Sequence, residues 1–141
     1  MAAVSRRLSH RSVSSRKGTA TVELAVCLPL LVIIALGSIE ATNAIFLKEH
    51  LTSAAYEGAR KATTVGQTWQ GGTATAQAVL TQFGIAGGTI TVTPAVGTAT
   101  TSGTQVTVSV AAPLGSNSCL QPFIIGKAIS NVRATVVMDH Q

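Results

Sequence analysis

Between Glu23 and Glu40 the chain carries no charged residue, and residues 24–39 are almost wholly apolar. With residues 19–22 on its near side, this stretch reaches the roughly 20 residues that a helix needs to cross the hydrocarbon core of a bilayer. In lipid every backbone N–H and C=O has to be satisfied within the segment, so a single pass requires a helix. Pro29 removes one ladder bond, which membrane helices tolerate. The flank gives the direction. Arg6, Arg7, Arg11, Arg16 and Lys17 precede the span with no acidic residue among them, and positive flanks stay in the cytoplasm. The span is therefore expected over about residues 20–39, with membrane lipid as its surroundings and the C-terminal part extracytoplasmic.

Location decides what the charge means. The formal net charge is +5, from 10 Lys and Arg against 5 Asp and Glu. Five of the cations precede Gly18 and all the acids follow it, so from Thr19 onward the charges cancel. No basic face with interleaved aromatics remains there, which excludes nucleic acid as a partner. Residues 1–18, rich in Ser and Arg without apolar periodicity, read as a disordered cytoplasmic leader.

A single carboxylate, Glu23, stands at the edge of the apolar run. At depth it costs about 2.5–3.5 kcal/mol and calls for a partner. It follows Gly18 by five residues. The order of basic leader, Gly18-Thr19-Ala20-Thr21-Val22-Glu23 and apolar run resembles the processing site of type IV pilin-like proteins. Val22-Glu23-Leu24-Ala25, Leu28-Pro29-Leu30-Leu31, Ile39-Glu40 and Glu57-Gly58-Ala59-Arg60 narrow the resemblance to the TadE-like minor pilins and pseudopilins of tight-adherence (Tad or Flp) pili.

That resemblance implies cleavage after Gly18 by a membrane prepilin peptidase, leaving Thr19 with the new terminal amine. It also implies that Glu23, fifth in the mature chain, pairs with a subunit's amine during assembly. The partners implied are the peptidase, other pilin-like subunits and the inner-membrane assembly platform with its ATPase. The location implied is the bacterial inner membrane, and whether the chain enters an extracellular pilus or only aids its assembly is left open.

Other export signals fit less well. Ser5-Arg6-Arg7-Leu8 is followed by Ser9 and His10 where a twin-arginine signal needs apolar residues. Signal-peptide cleavage near Ala35-Leu36-Gly37 would release a soluble chain starting at Ser38, but Glu23 at the mouth of the apolar region opposes it. The alternative function is a secreted or membrane-tethered binding domain. Cys27 in the span and Cys119 far beyond it are not expected to bridge; Cys27 reads as a small packing residue.

Beyond the span, Ile39, Ile45, Phe46, Leu51, Ala54, Ala55, Gly58 and Ala62 keep an approximate 3.6-residue spacing. One helix is therefore expected over residues 19–64, with Glu57 and Lys61 paired at i, i+4. Residues 67–73 read as a loop, and Thr73 as the cap of a short helix over 74–83 that ends at Gly84. The period then changes to two. Ile90, Val92 and Val96 form a first strand, held to a sheet edge by Pro94. A hairpin around residues 97–103 leads to Val106, Val108 and Val110, and Val132, Ala134, Val136 and Met138 form the last strand. Residues 113–131 are a connection with an apolar patch at 120–125. The fold class is α+β: a transmembrane and stalk helix, and a small extracytoplasmic domain over 65–141 with about three antiparallel strands.

The chemistry of catalysis has no foothold. His10, His50 and His140 are far apart in sequence and read as solvated, with no metal-ligand spacing. The acids after Glu40 stand singly, so no acid and base pair is visible. The sequence predicts a non-enzyme without cofactor or metal.

Overall fold

The computed structural model describes residues 15–97, 101–118 and 129–141. In chain order these form α1 (Ser15–Ala62), α2 (Trp69–Gln82), β1 (Thr89–Thr93), β2 (Gln105–Pro113), a 3-10 turn at Gly115–Asn117, and β3 (Asn131–Asp139). The class is α+β, and the chain divides into two compact units, Met1–Leu36 and Gly37–Gln141.

The first unit is the N-terminal part of α1. From Gly18 to Leu36 every side chain is exposed, and the helix is long and apolar enough to cross a membrane. Pro29 lies inside α1 without ending it. The helix starts at Ser15, four residues ahead of the expected Thr19. Arg16 and Lys17 are good helix formers, and only Gly18 opposes them. Residues 1–14, with Arg6, Arg7 and Arg11 of the expected leader, lie outside the described residues.

The second unit holds the core. Its sheet has the order β1-β2-β3, antiparallel throughout. The register sets Ile90 opposite Val110 and Val92 opposite Val108, and on the other side Val110 opposite Ala134 and Val108 opposite Val136. Central strand β2 alternates strictly, burying Val106, Val108, Val110 and Ala112. Those residues pack with Leu47, Leu51, Ala54, Ala55, Ala59 and Ala62 of α1 and Leu80 of α2. β1 is an edge strand, and it ends at Thr93, so Pro94 and Val96, expected within it, lie beyond the strand. The hairpin forms between β1 and β2, although residues 98–100 of its tip lie outside the described set, as do Cys119 and the apolar patch at 120–125.

Three further sequence expectations change. The inner face of α1 is centred on Leu47 and Leu51, while Ile45 and Phe46 are 60% and 54% exposed. Residues 45–47 are apolar in succession, so periodicity alone could not phase the stripe there. Second, α2 begins at Trp69, and Gly71 and Gly72 lie inside it. Thr73 is no cap; its hydroxyl donates to the Trp69 carbonyl at 2.9 Å within the helix. Packing against α1 overrides the glycines' poor propensity. Third, Glu57 pairs with Arg60 at i, i+3 rather than with Lys61.

The end of α2 follows its expected form. Gly84 takes φ +67°, its N–H donates to the Thr81 carbonyl at 3.0 Å, and the Ile85 N–H donates to the Leu80 carbonyl at 2.9 Å. This left-handed cap satisfies carbonyls that the helix would otherwise leave orphaned.

Candidate processing and assembly segment

Gly18, Thr19 and Glu23 all lie on α1 in the first unit. Thr19 and Glu23 are four residues apart, so they share one helix face with about 6 Å of rise between them. Both are exposed. A Cβ built on Gly18 meets nothing within 4 Å, so the 18–19 peptide bond is open to approach. It also lies close to the start of α1, where helix ends fray most readily. Glu23 has no ion-pair partner among the described residues. A carboxylate set at the head of an apolar helix, without an internal partner, is a group whose desolvation an incoming cation would offset.

At the other end of the sequence pattern, the Glu57-Gly58-Ala59-Arg60 block is architectural. Arg60 reaches the Glu57 carboxylate through Nη2 at 3.0 Å and Nε at 3.1 Å, at the surface. Gly58 is buried where α1 crosses α2 and β2. A Cβ there would lie 3.0 Å from Ala76 Cβ, 3.1 Å from the Gly72 carbonyl oxygen and 3.6 Å from Val108 Cγ1.

Residues 18–60 match the family model described as TadE-like protein. The TadE-like segment thus opens on Gly18 and closes on Arg60, taking in less than a third of the chain. No curated protein and no solved structure matches the chain. The match supports a pilin-like protein associated with the Tad pilus, and the N-terminal helix is long and apolar enough to cross a membrane.

Outside the TadE-like segment, the structure picks out residues that the sequence did not. His140, expected in solvent, is only 4% exposed. Its backbone N–H donates to the Thr104 carbonyl and its carbonyl accepts from the Gly103 N–H, both at 2.8 Å, while the next N–H, of Gln141, reaches the Thr63 carbonyl at 3.0 Å. Neither ring nitrogen has a hydrogen-bond partner among the described residues. Strand pairing beyond Asp139 draws the imidazole inward, and its place next to the chain end gave no sign of that. His50 is half-buried and stacks on Phe83, with ring centroids 4.1 Å apart; His10 lies outside the described residues. No cluster of three or more His, Cys, Asp or Glu occurs among the described residues.

Asn117 is the other unforeseen residue. Its Oδ1 accepts from the Ala86 N–H at 2.8 Å, and its Nδ2 donates to the carbonyls of Ala86 and Pro113 at 3.0 and 2.7 Å. The side chain thereby ties the loop after α2 to the end of β2. An Asn in an irregular stretch is common turn chemistry, and only the tertiary contact distinguishes this one.

Proposed function

We propose that the chain is a minor pilin or pseudopilin of a Tad-type pilus or related secretion machine, processed after Gly18 and assembled through its N-terminal helix. The observation that carries this reading is the TadE-like match, which starts at the very glycine that precedes the lone carboxylate of the apolar helix. Residues 1–18 are the leader, the rest of α1 to Ala62 is the transmembrane and stalk helix, and 65–141 is the extracytoplasmic domain. The Arg6, Arg7, Arg11, Arg16 and Lys17 cations keep the leader in the cytoplasm of a bacterial cell, where the prepilin peptidase meets Gly18.

Cleavage leaves Thr19 with a free ammonium one helical turn from Glu23. In an apolar bundle of pilin-like helices, the ammonium of one subunit and the Glu23 carboxylate of another each supply the charge that the other lacks. The assembly platform and its ATPase then act on subunits already held in the inner membrane.

The test is the mass of the mature N-terminus after co-expression with a prepilin peptidase. A chain beginning at Thr19 is expected, and Gly18→Asp retains the leader. Glu23→Ala is processed and inserted but fails to co-purify with partner subunits. A start at Ser38 would identify a secreted module instead, and normal processing of the Gly18→Asp chain would overturn the assignment.

A further inference from the structure

In the second unit, several exposed large apolar side chains gather at the end that follows the apolar run: Ile39, Ile45, Phe46, Phe83 and Ile129. Two grooves flank α1 there. On one side Ala44, Ile45 and Lys48 face Ile129, Val132 and Arg133 across a groove of about 390 Å³. On the other, Asn43, Phe46 and His50 face Phe83 and Ile85 across one of about 310 Å³. Lys48 lies along the rim of the first, its amine donating to the Arg133 carbonyl. The rim charges are Lys48 and Arg133 against the single acid Glu49.

Chain length fixes what this end can reach. Ile45 is six residues past Ile39, a distance of about 20 Å for a fully extended chain and about 9 Å in a helix. The headgroup layer adds about 5–8 Å to each side of the hydrocarbon core. Exposed apolar side chains grouped on both sides of one helix suit a contact site, and the aromatic and cationic side chains beside them suit the membrane interface.

We propose that this end of the folded unit rests on a phospholipid surface, in the leaflet from which α1 emerges. Ile45, Phe46, Phe83 and Ile129 enter the glycerol and upper acyl region, and Lys48 and Arg133 meet lipid phosphates. The inference depends on residues 20–39 being a span. It adds a second membrane contact, made by residues distant in sequence from the first, which limits how freely the domain swings before assembly.

The experiment uses the full chain, with Cys27→Ala and Cys119→Ser, in vesicles of phosphatidylcholine with or without phosphatidylglycerol. Spin labels at Ile129→Cys, Phe83→Cys and Val137→Cys are read by collision with oxygen, which favours lipid, and with a nickel chelate, which favours water. The expected result is oxygen-dominated relaxation at 129 and 83 and chelate-dominated relaxation at 137. Arg133→Glu is expected to shift position 129 several-fold toward the chelate in the anionic vesicles. If all three labels meet the chelate equally while the chain resists alkaline extraction, the span stands and the surface contact is overturned. If 129 and 83 are shielded from both reagents, a protein surface covers them, which also overturns it. A chain released by alkali removes both the span and the contact.

Discussion

A Cβ added to Gly72 would lie 2.7 Å from the Gly58 carbonyl oxygen and 2.7 Å from the Ala62 Cβ. Two glycines therefore set the distance between α1 and α2, with Ala62 and Ala76 one turn further along each helix. The neighbouring atoms are backbone or Cβ and have no rotamer by which to withdraw. Gly72→Ala is therefore expected to lower stability by about 1–3 kcal/mol through overpacking, even though alanine is the better helix former. Gly71→Ala, on the same helix, meets only the Gln67 Oε1 at 3.4 Å, the end of a flexible side chain. It is expected to raise stability by about 0.5–1 kcal/mol. Urea unfolding of both variants checks the pair, and equal signs would refute the close crossing.

The Asn117 side chain makes three hydrogen bonds to backbone groups of two segments. At about 0.5–1.5 kcal/mol net for each, Asn117→Ala is expected to cost about 2–4 kcal/mol. Asn117→Asp keeps the acceptor for the Ala86 N–H and loses both donors, so it falls between. Hydrogen exchange at Ala86 reports the local effect: its amide is expected to exchange faster in Asn117→Ala and to stay protected in Asn117→Asp.

Much of this architecture was legible because its signals are local. The span is a matter of length and polarity, and the strands of β2 and β3 alternate in the sequence as they do in space. The proline, one residue after Thr93, marks where β1 stops. The start of α2 was not legible: Gly71 and Gly72 are a loop signal by propensity, yet both are in the helix, Gly72 where α1 comes too close for any side chain. The exposure of Ile45 and Phe46 was hidden by an apolar run without a polar face. At the candidate site, Gly18 and Glu23 stood out as a glycine and a lone acid in an uncharged setting, whereas His140 and Asn117 depend on contacts with distant residues that no spacing records.

The Glu57-Gly58-Ala59-Arg60 block divides into parts of unequal weight. The Glu57–Arg60 pair is solvent-exposed and belongs to a class worth about 0.2–1 kcal/mol. A double-mutant cycle of Glu57→Gln and Arg60→Gln is expected to give a coupling within that range, diminishing in high salt. Gly58→Val, by contrast, drives a branched side chain into Ala76 Cβ and the Gly72 carbonyl, and is expected to cost more than about 2 kcal/mol. Thermal melts of the three single variants rank them, and a Gly58→Val chain as stable as the charge variants would sink the assignment of the glycine to packing.

His140 sits inside the protein, and neither of its ring nitrogens has a hydrogen-bond partner among the described residues. Its backbone bonds to Thr104 and Gly103 do not depend on the imidazole. A buried polar group without a partner costs about 1–3 kcal/mol, whereas an apolar group of similar shape carries no such penalty. His140→Leu is therefore expected to leave stability within about 1 kcal/mol of the parent or to raise it, since leucine fills comparable space and needs no partner. His140→Asp places a carboxylate in the same site and is expected to be destabilising by several kcal/mol at neutral pH. Urea midpoints at constant slope separate the two cases. A large loss in His140→Leu would mean that the ring nitrogens hold a bridging water, and that the closure of the chain end onto Thr63 and Thr104 is built around it.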